Sequence, residues 1–437
     1  MIVAHGVGGR QDLPIPLGTA ILGAVIALIV SFTVLAVATT RRRELAEPTP
    51  GPQVRVPLFE SAVWLVVVRI VGMAFLALGI TAALGPDEST NPIFGMVFVW
   101  WWVGLIFASL ILGPVWRAAS PNRTIHWLLS RLRGSEEPLF VYDERLGYWP
   151  ATIGLLAFTW LELVYPNNGY LGPVRLWCVV YFVVMLLGGQ LWGKRFFERC
   201  DPFEVYSSLV ARLSVWGRDD EGRVVLRRPM SNLDTLQPEP GLVAVVSVLF
   251  GTIVFDSFKE SIPWLTFTQG TPTLATHGYL VDNVALVAFP VAVGIFFCAG
   301  TMLTGVDAGG VRRRDLPGLL APSMVPIVAG YVVAHYLTYW WSVGQLTLSQ
   351  ASDPLGNGSN WFGTANWGLN ATLSYHPQLL ADVKVLSVIV GHVLGVVSAH
   401  RRAVRALPPR HVITGQLPLL VTMIGFTVGG LYLLFAA

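Results

Sequence analysis

The sequence predicts an all-α protein, a polytopic transmembrane helix bundle of about ten spans. Three observations lead there. The 437 residues are 54% hydrophobic and only 13% charged, where a soluble domain carries roughly 25% charged residues. At least nine apolar runs reach 18 residues or so, the length needed to cross ~30 Å of hydrocarbon. The basic residues, finally, fall in blocks that alternate with those runs.

The expected spans are 17–39, 58–83, 93–115, 149–165, 174–193, 241–259, 281–304, 318–344, 379–399 and 416–436. The fourth is short and the eighth long, which predicts tilt or a partial break at both. The first run begins at Leu17, behind a start with no basic n-region, and is expected to stay as a span rather than be cleaved. With the N-terminus outside, five inner loops collect 24 of the 29 Lys and Arg residues, leaving Arg10, Arg69, Arg175, Lys259 and Lys384 elsewhere. That asymmetry is the positive-inside pattern, and it puts both termini outside.

Two loops stand out. The inner loop 194–240 carries Phe203, Tyr206, Leu209, Val210, Leu213 and Trp216 at helical spacing, which predicts an amphipathic helix on the inner surface. A polar hairpin is expected after it, at 218–229. The long outer loop 345–378 is rich in Gly, Asn and Trp, a composition suited to a lid or binding element. Cys178, Cys200 and Cys298 show no CxxC spacing and read as apolar fillers. The Trp100–Trp102 run reads as part of an interfacial aromatic belt.

No phosphate-binding loop, HExxH, GxSxG or dinucleotide fingerprint occurs in the sequence. The informative residues are therefore ionisable side chains at membrane depth, which are costly there unless paired or hydrated. Asp256, Lys259 and Glu260 end the sixth span, Asp282 opens the seventh, and Asp382 and Lys384 open the ninth. His335 lies on the eighth span and His392 on the ninth, within GHVLG, whose glycines permit close helix approach. Arg69, in the second span, is expected to neutralise a carboxylate; His126 and His411 fall in inner loops and read as solvated. His5 precedes the first span in a glycine-rich stretch that can fold back over the bundle mouth.

Several readings of this set stay open. Asp256, His335 and His392, joined by His5, suit a divalent metal of the zinc type whose bound water attacks a substrate. The same residues suit a proton or ion relay in a transporter or carrier. The histidines also suit a haem or metal site in an accessory subunit, and each is equally suited to a plain interhelical hydrogen bond.

Six segments carry a resemblance: AHGVGGRQDLPIP (4–16), ERLGYWPATIGLLAFTWLELVYP (144–166), FGTIVFDSF (250–258), VVAHYLTYWW (332–341), ASDPLGNGSNWFGTA (351–365) and GHVLGVVSAH (391–400). With them the chain resembles a bacterial family of multi-span membrane proteins commonly named fenitrothion hydrolase, after an organophosphate-degrading member of two membrane subunits. The resemblance implies a plasma-membrane location, a phosphotriester hydrolase activity on a small-molecule substrate and a partner membrane subunit. It supplies no residue roles; His5, Asp256, His335, Asp353, His392 and His400 are the positions inside its segments. Asp256, His335 and His392 are the expected catalytic residues. The lipid bilayer is the expected surrounding, and nothing in the chain suggests nucleic-acid binding.

Overall fold

The computed structural model describes residues 13–41, 54–219, 221–304, 306, 310–408 and 413–435. Among these, helix dominates, and only three short strands occur. Among the described residues, nine helices are long and apolar enough to cross a membrane: Leu17–Ala38, Ala62–Ala83, Pro92–Leu112, Leu171–Trp192, Leu242–Lys259, Gly278–Met302, Arg313–Ala351, Pro377–Ala406 and Thr414–Leu434. Each overlaps one expected span. The remaining expected span, the fourth (149–165), is a helix of 15 residues, Trp149–Leu163, short of the 17 or more that a span usually needs.

The chain divides into two compact units. One comprises Pro52–Asn232 and Tyr339–Thr372; the other comprises Ala4–Gly51, Leu233–Thr338 and Leu373–Ala437. The division falls inside the helix Met324–Ala351.

In the first unit, the helix Ala62–Ala83 buries only 6% of its apolar window, so most of its surface is free to meet lipid. The stretch Pro92–Leu112 is the opposite case. Its central Gly95–Val103 is wound as a π-helix, and Trp101 and Trp102 are buried within the unit. Trp101 stacks on Phe203 at 4.0 Å between centroids and meets Trp116 and Tyr181. The belt reading of this run is thereby corrected for those two residues: the five-residue hydrogen-bond reach of a π-turn re-aims consecutive side chains, and both rings enter an aromatic core.

The segment read as an amphipathic surface helix differs as well. Pro202–Val210 is helical, but only Ser208 escapes full burial; Glu204 is 1% exposed. The reason is electrostatic. Arg123 grips Glu204 through Nε and Nη2 at 2.5 and 2.6 Å, which lets the charged face turn inward. The expected hairpin exists as β2 (Trp216–Arg218) and β3 (Val224–Leu226), antiparallel, with β1 (Val54–Arg55) on the far side of β3. The outer loop begins later than expected, because helix continues to Ala351. Asp353 then ties the turn, accepting from the backbone of Asn357 and Gly358 and from Ser359 Oγ.

In the second unit, helices meet where side chains are smallest. Leu17–Arg41 buries Ala20, Ala24, Leu28, Phe32 and Ala36, one residue per turn. Gly251 lies against Pro290, the proline inside Gly278–Met302; a Cβ there would stand 2.5 Å from the proline Cα. Gly391 lies against the first turn of Met324–Ala351, where a Cβ would stand 2.6 Å from the Pro326 carbonyl and 3.2 Å from Gly330 Cα. The predicted break in the eighth span is present too. Short turns at Arg313–Asp315, Leu316–Leu320 and Ala321–Ser323, punctuated by Pro317 and Pro322, precede the long helix.

The Gly391 contact gives a direct test. Gly391→Val places branched carbon against backbone that cannot retreat without parting two helices, a cost of about 1–3 kcal/mol. Thermal unfolding of purified protein should show a Tm lower by several degrees, whereas Gly429→Val, at a position with open space around it, should leave Tm nearly unchanged.

Candidate functional site

The polar centre of the second unit is built by two helices, Leu242–Lys259 and the portion of Met324–Ala351 up to Thr338. Asp256 and Ser257 are adjacent near the end of the first; Tyr331, His335 and Tyr336 lie on the second. The four-residue spacing puts Tyr331 and His335 on one face of the helix; Tyr336, about 100° further round, reaches Asp256 from the flank.

The hydrogen bonds form a chain. Tyr331 donates to Ser257 Oγ at 3.2 Å. Ser257 Oγ is 3.1 Å from His335 Nδ1, and His335 Nε2 is 2.9 Å from Asp256 Oδ2. Tyr336 donates to the same Asp256 oxygen at 2.7 Å. One consistent set of protons satisfies every link: Ser257 donates to Nδ1, and Nε2–H donates to the carboxylate. The Tyr331 hydroxyl also lies 3.4 Å from the Gly430 carbonyl, on the helix Leu417–Leu434. All five side chains are buried; Asp256 and His335 are each 4% exposed. A carboxylate held in that setting needs these donors, because an unpaired buried charge costs several kcal/mol.

Asp256 and His335, two of the three expected catalytic residues, thus come together. His392 does not join them. It is fully buried, and its Nδ1 donates to the Val388 carbonyl one turn back at 2.8 Å. That bond fixes the tautomer and leaves the Nε2 lone pair without a hydrogen-bond partner among the described residues. His400, eight residues on, pairs with Gln416 at 3.2 Å and packs its ring edge-on against Phe32. His5 lies outside the described residues. Among the described residues, no three of His, Cys, Asp and Glu are grouped as a metal ion would need. At the same end of the helix as Asp256, Lys259 Nζ stands 3.9 Å from Asp282.

Sequence reasoning missed a second buried polar network, in the first unit. Asp201 caps the helix Pro202–Val210, accepting from the backbone N–H of Phe203 and Glu204. It also accepts from Tyr181 at 3.0 Å and Trp116 Nε1 at 3.3 Å. Complete burial, then the nearby Glu204, push its pKa up to about 7. The Asp-Pro dipeptide ahead of an apolar run did announce a cap; nothing in the sequence spacing pointed to Tyr181 and Trp116. His126, expected to be solvated, is 5% exposed, and its Nδ1 accepts from Gln190 at 3.0 Å. Arg69 meets no carboxylate among the described residues and lies over Trp127 instead, 4.5 Å from the ring centre. The three cysteines are unbridged.

Compared with family models, curated proteins and solved structures, the chain matches none.

Asp201 gives a pH test. A raised carboxyl pKa means that the folded state binds the proton more tightly than the unfolded chain. The group's effect is therefore most favourable below the ordinary Asp range and is lost as pH rises through about 7. Wild-type Tm should fall by a few degrees between pH 4 and pH 7 from this source, and Asp201→Asn, which can still cap the helix, should flatten that slope.

Proposed function

We propose that the protein is a multi-pass protein of the plasma membrane, termini outside, that works as a carrier for a small solute, with Asp256–His335 as its proton-binding group. The observation that supports this most is the hydrogen-bonded chain Tyr331–Ser257–His335–Asp256–Tyr336. Every member is a group that can hold or pass a proton, and the chain lies buried among helices long and apolar enough to span a bilayer. Intramembrane Asp and His in such chains serve as proton relays. A proton arriving on the carboxylate weakens its bond to the imidazole, so occupancy of the pair alters how the two helices hold each other. That is the coupling a carrier requires, because a ligand shifts a conformational equilibrium only through differential interaction with its states.

The test is reconstitution in liposomes, with currents recorded on a solid-supported membrane across a panel of small solutes at imposed pH gradients. Wild type should give solute-dependent, pH-sensitive transients, and Asp256→Asn should reduce them at least tenfold. Undiminished currents in Asp256→Asn would remove the pair from the transport step.

A second reading, hydrolysis of a phosphotriester as the family resemblance implies, is favoured by one detail. Ser257, His335 and Asp256 are bonded in the order nucleophile, base, orienting carboxylate. In that case Ser257 Oγ attacks phosphorus, its proton passes to His335, and the aryloxide leaves; water then releases the phosphoryl group from the serine. Among the described residues, no three of His, Cys, Asp and Glu are grouped to hold a zinc-type ion. No step is routed through it. The reading predicts 4-nitrophenolate release from a 4-nitrophenyl phosphotriester in detergent, with Ser257→Ala lowering the rate by at least a hundredfold; equal rates in the two proteins would exclude Ser257 as nucleophile.

A further inference from the structure

A cavity of about 430 Å³ opens in the first unit, between the start of the helix Ala62–Ala83 and the chain around 114–136. Its volume is that of an ordinary ligand pocket. Its walls are unusually basic: Arg69, Arg117, Arg123, Lys194 and Arg218 line it, against Glu136 alone among carboxylates. Three of these cations are already engaged. Arg117 pairs with Glu198, Arg123 with Glu204 and Lys194 with Glu136.

The rest of the charge is offset only in part, by Glu136, which is already paired with Lys194. Arg69 and, beside the cavity, Arg131 both lie against one ring, Trp127, at 4.5 and 4.6 Å from its centre. Neither makes an ion pair with a carboxylate among the described residues, and two cations on one indole repel each other. Ser130 lines the same cavity with its hydroxyl buried and without a hydrogen-bond partner among the described residues. His126 lines it too. Burial, with Arg123 and Arg133, lowers its pKa, so it is neutral near pH 7. With Nδ1 accepting from Gln190, its Nε2 carries the proton and is a donor.

We propose that this cavity binds an anionic phosphate group, with Arg69, Ser130 and His126 as its principal donors and the headgroup of an acidic phospholipid as its source. Donors without acceptors, and cations that share one distant carboxylate, are what a phosphate satisfies. The lipid source follows from Arg69's position. It is eight residues into its helix, roughly 10 Å along the axis, and that helix exposes most of its apolar surface. A cation at that depth reaches for the headgroup layer. On the orientation proposed above, that layer is the inner leaflet, where acidic headgroups meet basic loops. The proposal rests on that reading only for its sidedness; the proton-carrier role can fail without touching it.

The experiment is native mass spectrometry of the full-length protein titrated with phosphatidylglycerol, with phosphatidylcholine as control and millimolar inorganic phosphate as competitor. Wild type should bind phosphatidylglycerol at least tenfold more tightly than phosphatidylcholine. Arg69→Gln, which breaks no ion pair, should weaken phosphatidylglycerol about tenfold, the worth of one charge-assisted hydrogen bond. Glu136→Gln, which releases Lys194 and removes the one carboxylate in the wall, should tighten it; this second variant carries the test should Arg69→Gln fold poorly. Displacement by inorganic phosphate would uphold the phosphate site and make its source soluble phosphate; resistance to displacement would uphold the lipid. Equal binding of the two lipids, or binding unaffected by both substitutions, would overturn the proposal.

Discussion

The 2.9 Å contact between Asp256 and His335 is the constraint around which the second unit is arranged. A carboxylate among apolar helices is tolerable only when donors converge on it, and these donors come from a different helix. That requirement fixes the rotation of two helices about their axes. It also fixes their separation, because a hydrogen bond lost to a shift of 1 Å leaves the carboxylate unsatisfied. The glycine contacts elsewhere in the unit, Gly251 on Pro290 and Gly391 on the Pro326 turn, do the complementary task. They bring backbones close without polar groups, so that the one polar chain sits in an otherwise well-packed interior.

The first unit solves the same problem twice. Asp201 is held by its own helix N-terminus together with Tyr181 and Trp116, and Glu204 by the two-pronged grip of Arg123. Both carboxylates sit on a helix that would otherwise be a surface element. Burying them lets Phe203 reach the Trp101 ring and closes an aromatic core. Arg69 and Arg131 are the contrast: among the described residues neither forms an ion pair, and both lie against the Trp127 ring.

Much of the fold was legible in the sequence, for a physical reason. Apolar length sets membrane-scale helices almost independently of tertiary contacts, so nine expected spans coincide with nine helices. Even the broken start of the long helix was foreshadowed by its excess length. The exceptions came where packing or pairing overrules pattern. Residues 203–210 look amphipathic, yet Arg123, distant in sequence, neutralises their charged face. Trp101 and Trp102 look interfacial, yet a π-helix turns them inward. At the site, burial cost singled out Asp256 and His335 correctly as groups needing partners. It did not reveal which partners: Ser257, Tyr331 and Tyr336 are ordinary residues until two helices face each other. His392 satisfied the same burial argument, and its ring turns out to be held by its own helix backbone.

The central claim is that Asp256 and His335 join two helices through one buried hydrogen bond. A double-mutant cycle of Asp256→Ala and His335→Ala, read as thermal unfolding of the purified protein, measures this most directly. The predicted result is that either substitution alone lowers Tm by several degrees and that the second adds little once the first has been made. Losses in Tm that add in full would contradict it.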